Sequence, residues 1–257
     1  MKLSNQKQLQ ILSANTHTIQ SSNAQPKSLP SSSSSSEAPT CLKPKLTTTS
    51  NLKLTQQELT KINLLIPRLC LFNHLTTAIN LITTALLTNP PPKSLSLSIL
   101  THSLASQPDL TLPMSLLTRL KHIPQAHPHL THITTMLITS FLRQGRPKDA
   151  LKVYHWMIRP GSSCEVEPVV YGILVHGFCG KGLVLEALRV LRDMVGIRLM
   201  PGVGLRKTVF RSLLREARVK EAVEFDEALK CVGKGCEGEV VKKVVDLLDH
   251  MIANWAV

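Results

Sequence analysis

Five residues, Ala78, Met114, Ala150, Ala187 and Ala222, recur along the chain at steps of 36, 36, 37 and 35. A step of that size is the length of one helical hairpin, which cannot bury its apolar face alone and needs stacked copies of itself. The neighbours recur with the slot. Gly145-Arg-Pro-Lys-Asp-Ala-Leu, Gly182-Leu-Val-Leu-Glu-Ala-Leu and Ala217-Arg-Val-Lys-Glu-Ala-Val align without gaps, as does Asn73-His-Leu-Thr-Thr-Ala-Ile.

Each slot heads an apolar stripe of helical period. Ala150, Val153, Tyr154, Met157 and Ile158 fall at i, i+3, i+4, i+7 and i+8, and Ala187, Val190, Leu191, Met194 and Val195 repeat the pattern. Such a stripe is what a helix needs to pack on a neighbour, and a small residue at its head suits a close crossing. A second apolar helix precedes each stripe, near 131–142, 169–179 and 205–215. Gly145 and Gly182 stand where a left-handed cap would end the first two. Pro147 stands where a helix starts. Two features look irregular. Pro113 and Lys121 interrupt the stripe around Met114, and Pro67 should kink the helix that contains it. Val240, Val244, Leu248, Met251 and Trp255 outline a final amphipathic helix that reads as a cap on the stack.

Aromatic residues make up only 4% of the 257 residues, fewer than a globular enzyme with a large pocket uses. No nucleophile elbow, phosphate-cradling glycine loop or paired acidic cluster appears. The six cysteines include no zinc-like spacing and read as reduced thiols. No apolar run is long enough to span a membrane. Thirty Lys and Arg against 17 Asp and Glu give a net charge of +13, which favours a polyanionic partner. The excess is local: residues 140–220 hold 15 basic and 6 acidic side chains, whereas 221–257 hold 4 and 8.

Residues 1–50 hold 12 Ser, 6 Thr, 5 Lys and one acid, Glu37. That composition lacks apolar periodicity and reads as an organelle transit peptide. The first arginine is Arg68, which tilts the expectation towards the chloroplast, with the mitochondrion as the alternative.

Tyr171-Gly-Ile-Leu-Val-His-Gly-Phe-Cys-Gly-Lys-Gly182, followed by Glu186-Ala-Leu-Arg-Val-Leu-Arg-Asp-Met194 and Pro201, resembles the pentatricopeptide repeat family of plant organelles. The tetratricopeptide repeat has a similar hairpin, but its Trp-x-x-Leu-Gly-x-x-Tyr opening is absent. The resemblance implies an all-α, right-handed solenoid of about four to five antiparallel helix pairs. The expected organisation is a leader over 1–52, repeats over 53–237 (59–93, a degenerate 94–129, 131–168, 169–202 and 203–237), and a capping helix over 238–257.

The resemblance also implies single-stranded RNA laid along the first helices, one base per repeat. The residues matching the family's base readers are Asn63, Thr135, Gly172 and Lys207, with about Leu97 in the degenerate unit. The matching joint residues are Lys93, Val169 and Gly202. None of the three joints carries the usual Asp or Asn, so readout by the two-residue code is weak. Arg143, Arg146, Lys181, Arg206 and Arg211 lie near the first-helix ends as candidates for the RNA backbone. The expected partners are RNA plus a protein partner or a second copy, with no cofactor, metal, membrane or small-molecule substrate. The competing expectation is a protein-interaction scaffold.

Overall fold

The computed structural model describes residues 54–88, 95–230 and 237–256. The expected leader, the joint residue Lys93, and Cys41, Cys231 and Cys236 lie outside the described residues. Those residues form eleven α-helices and no strand. Ten pair into hairpins: α1 (Gln56–Leu71) with α2 (Leu75–Leu86), α3 (Leu97–Ala105) with α4 (Thr111–Lys121), and α5 (His127–Arg143) with α6 (Pro147–Met157). Next come α7 (Pro168–Gly180) with α8 (Val184–Gly196), then α9 (Val203–Arg215) with α10 (Val219–Lys230); α11 is Glu237–Ala253.

The first helices stack in chain order, α1 on α3, α3 on α5, α5 on α7 and α7 on α9. They form one layer of an all-α solenoid. Its core is built from the recurring stripes, and Ala78, Ala150, Ala187 and Ala222 are all fully buried. Where α5 meets α7, a Cβ added to Gly177 of α7 would lie 2.6 Å from a Leu142 methyl of α5. The corresponding positions on α3, α5 and α9 are Ser103, Ser140 and Ser212, so a small side chain stands wherever the preceding helix presses in.

The second hairpin keeps the pattern one residue out of the expected register. Pro113, Leu116, Leu117 and Leu120 are buried on α4, with the spacing of Ala150, Val153, Tyr154 and Met157 on α6. Pro113, not the half-buried Met114, therefore heads that stripe. It sits in the first turn, where a missing N–H costs no helix bond. Lys121 is the last residue of α4 and interrupts nothing. Pro67 lies inside α1, which runs on through it to Leu71.

The same backbone device closes four of the five hairpins. Asn73, Gly145, Gly182 and Ala217 occupy one slot, and all have φ between 58° and 73°. After each, the next N–H reaches back to the helix: His74 to the Leu69 carbonyl, Arg146 to Phe141, Leu183 to Phe178, and Arg218 to Leu213. The slot falls on Pro108 in the second hairpin. Proline's ring holds φ near −65°, so the left-handed cap cannot form there. Helix α3 ends early at Ala105, and a longer turn leads into α4.

Helix α11 departs from the expected cap. It packs on α8 and α10 within the second-helix layer, tied by an Arg192–Asp249 ion pair at 3.0 Å, and in the turn after it the Trp255 ring lies 4.3 Å below Arg218. Among the described residues, nothing packs on the outer flank of α9. Ile138 and Val175 are buried by the helix that follows them, but the equivalent Phe210 is only half-buried. Leu214 is exposed where Leu142 and Cys179 are covered.

Candidate nucleic-acid interface

Among the described residues, nothing covers one face of the first-helix layer along α3, α5, α7 and α9. A cleft of about 500 Å³ between α3 and α5 is lined by Ser98, Ile99 and His102 on one side, and by His132, Thr135, Thr139 and Arg143 on the other. A smaller cleft of about 170 Å³ between α7 and α9 is lined by His176, Gly180, Thr208, Arg211, Ser212 and Arg215. Both clefts use the same helical positions, because Thr139, His176 and Arg211 are equivalent in the repeat.

Asn63, Thr135, Gly172 and Lys207 fall at one equivalent position in their helices, with different fates. The Asn63 side-chain oxygen accepts the Ser96 N–H at 2.9 Å and so ties the first hairpin to the start of α3. Thr135 donates its hydroxyl to the Thr131 carbonyl at 2.7 Å, leaving the oxygen lone pairs towards the cleft. Gly172 faces open space, with nothing within 4 Å of a Cβ placed on it. Lys207 is exposed. In the second unit the one-residue shift replaces Leu97 by Ser98. Leu97 is only 6% exposed and belongs to the core, whereas Ser98 lines the cleft opposite Thr135. At the joints, Val169 and Gly202 are exposed.

The five backbone candidates also divide. Arg143 is exposed on the α3–α5 cleft, and Arg211 on the α7–α9 cleft. Lys181 is exposed at the end of α7, beside Gly145 and Lys148 of the preceding hairpin. Arg146 and Arg206 face inward, contrary to expectation. The Arg146 guanidinium donates to the carbonyls of Ala105 (2.7 Å), Gln107 and Pro108 (3.2 Å). It also pairs with Asp149 at 2.7 Å and stacks 5.0 Å above Phe141. These carbonyls belong to the turn that Pro108 prevents from capping itself, so Arg146 supplies the donors the turn lacks. Arg206 turns into its own hairpin and lies 3.3 Å from Asp226, at an angle that makes an ion pair but no hydrogen bond. Lys230 holds the other Asp226 oxygen at 2.7 Å, and that hydrogen bond is the main reason the carboxyl titrates below its usual range.

Two further side chains, Arg215 and His176, line the α7–α9 cleft. Arg215 continues Lys207 and Arg211 at i, i+4 and i+8, so three exposed cations form one stripe on α9. None of the three is ion-paired among the described residues. The i+4 spacing alone would have located Arg215. His176 is exposed one turn beyond Gly172, and its role is visible only once α7 and α9 lie side by side.

Behind this face the repeats are locked by apolar and polar contacts. Tyr154 donates its hydroxyl to Asp193 at 2.9 Å and meets Tyr171 edge-on at 6.1 Å. Burial, then the Asp193 charge, pushes the Tyr154 phenol far above its ordinary range. Burial likewise raises the Cys179 thiol, which makes it a packing residue. Among the described residues no cluster of His, Cys, Asp or Glu could hold a metal, and no helix is long and apolar enough to cross a membrane.

Residues 133–161 and 162–195 each match a family model described as the PPR repeat. The chain carries pentatricopeptide repeats. The two matched repeats span α5 to α8, the centre of the solenoid. No curated protein matches the chain. Pentatricopeptide repeats form helical-repeat proteins that commonly bind RNA and generally do no catalysis.

Proposed function

We propose that this pentatricopeptide repeat protein binds single-stranded RNA along the open face of its first helices and acts in organellar transcript processing, splicing or stabilisation. The observation that carries the proposal is the exposed stripe Lys207, Arg211 and Arg215, with Arg143 exposed on the α3–α5 cleft and Lys181 exposed at the end of α7. Exposed cations on the open face, without ion pairs among the described residues, are the footprint of phosphate contact. Base readout is thin: Ser98 and Thr135 offer hydroxyls, and Gly172 offers nothing. Four or five repeats span only about as many nucleotides, so selective action calls for a protein partner or a second copy. The basic, acid-poor leader supports an organelle as the site of action, with the chloroplast ahead of the mitochondrion.

Titrating fluorescent oligoribonucleotides at several salt concentrations tests the groove. Each single-strand phosphate contact contributes about 0.7 to the log–log salt slope. Neutralising Lys207, Arg211 and Arg215 to Gln together should therefore flatten the slope by about 2. An unchanged slope and affinity would remove the groove. Crosslinking to RNA in isolated organelles tests compartment and target together.

A second reading, a protein-interaction scaffold, draws on the first hairpin. Leu64, Leu65, Leu71 and Phe72 are exposed there, although Leu100, Leu137, Leu174 and Val209, equivalent to Leu65, are all fully buried. Salt-insensitive capture of one protein, unaffected by ribonuclease, would favour that reading.

A further inference from the structure

The fourth repeat lacks a base reader, but its cleft is not chemically empty. We infer that His176 of α7 and Arg211 of α9 clamp one unstacked nucleobase between them, so that this repeat grips RNA without reading it. The inference rests on the proposed RNA-binding groove and assigns a role to its α7–α9 section.

Three observations converge. His176 and Arg211 occupy equivalent positions on adjacent stacked helices, and both line the cleft of about 170 Å³. Their side chains offer the two flat groups on which proteins stack bases, an imidazole ring and a guanidinium plane. The positions one turn to either side of His176 are Gly172 and Gly180, and a Cβ at either would meet nothing within 4 Å. Both flanks of the imidazole are therefore open, with room for a ring to lie along the helix backbone. Arg215 lies at the same cleft, one turn beyond Arg211 on α9, and Lys207 one turn before it, positioned for the flanking phosphates.

The α3–α5 cleft differs. There His102 takes the place of His176, and that of Arg211 falls to Thr139, whose hydroxyl is donated to the Thr135 carbonyl at 2.8 Å. It provides no flat surface opposite His102. The clamp thus belongs to the fourth and fifth repeats alone among those described. Stacking tolerates any base, since every base has a π-face. That fits a repeat whose reader position is glycine.

The test uses the full chain and labelled ten-residue oligouridine and oligoadenosine, with anisotropy read across a salt series. His176→Ala should lower affinity about 5- to 150-fold for both oligomers, the range of one stacked base. Its salt slope should stay that of the unsubstituted protein, and His176→Phe should restore most of the loss. Arg211→Lys keeps the charge but removes the plane, so it too should weaken binding at constant slope. Quenching of 2-aminopurine placed within the oligomer should disappear in His176→Ala. The clamp is overturned if His176→Ala binds within twofold of the unsubstituted protein. It is also overturned if the slope drops by about 0.7 without rescue by Phe, since His176 would then be a phosphate contact. If neutralising Lys207, Arg211 and Arg215 leaves RNA binding untouched, the groove itself fails and the clamp falls with it. Failure of the clamp alone leaves that triple effect intact.

Discussion

Removing the Arg146 side chain should unfold the chain more readily without acting first on RNA. The guanidinium joins the turn after α3 to the start of α6 through three carbonyls, a carboxylate and an aromatic face. Its side chain is 22% exposed, so water can replace part of what is lost. We assign about 1 kcal/mol to each of the two shorter carbonyl bonds. The partly exposed pair with Asp149 adds roughly 0.5 kcal/mol, and the stack on Phe141 about another 0.5 kcal/mol. Arg146→Ala should then cost about 3 kcal/mol, which lowers the melting midpoint by roughly 6–12 °C for a folded region of this size. Circular dichroism on heating and in urea measures the loss. Hydrogen exchange should show faster opening across residues 102–110, where Gln144 also reaches Ser106 and the His102 carbonyl. Arg146→Lys should recover less than half, because an ammonium lacks the planar fork that spans several acceptors. Arg143→Ala, three residues earlier but exposed, should stay within about 0.5 kcal/mol. The reasoning is refuted if Arg146→Ala melts with the unsubstituted protein yet loses RNA affinity, as a phosphate contact would.

Other substitutions test separate parts of the account. Arg206 and Lys207 are adjacent but face opposite ways, so Lys207→Gln should weaken RNA binding and flatten its salt slope by about 0.7, whereas Arg206→Gln should leave both within experimental scatter. Ala217 holds φ at 58° in a slot where two equivalent hairpins have glycine, so Ala217→Gly should stabilise by about 1 kcal/mol in urea titration. At Gly177, leucine should overpack against Leu142 and cost about 1–3 kcal/mol. Alanine there should come out near neutral, because about 1 kcal/mol of helix propensity offsets the crowding. Tyr154 has a folded-state pKa raised above its unfolded value near 10. Its contribution is therefore complete below about pH 10 and declines as pH rises past it. Tyr154→Phe should lower stability by about 1 kcal/mol at neutral pH and show less decline between pH 10 and 11 than the parent.

The hairpin fold was legible because its signal is repeated. Stripes headed by Ala150 and Ala187 each demand a neighbour, and four such units agree on one arrangement. Register in the second unit was not legible, since Pro113 and Met114 are both plausible heads of a stripe. The choice was made by the longer turn that Pro108 forces, a backbone constraint with no mark in hydrophobic period. The one-residue shift then moved the reader position from Leu97 to Ser98, from core to cleft.

Charge showed the same division. Counting arginines near helix ends predicts a basic region, and the α9 stripe follows from i+4 spacing. Counting cannot separate Arg143, which faces the cleft, from Arg146, which faces three carbonyls of the preceding hairpin 38–41 residues away. By itself, the sequence determined the helical period, the stacked architecture and where positive charge concentrates, because these arise from local spacing repeated along the chain. Only the tertiary structure decided which cations have no ion pair among the described residues, that α11 enters the second-helix layer instead of capping the stack, and that His176 and Arg211 line one cleft. Those outcomes depend on contacts between residues tens of positions apart, where side-chain direction and competing partners choose among groups that look alike in sequence.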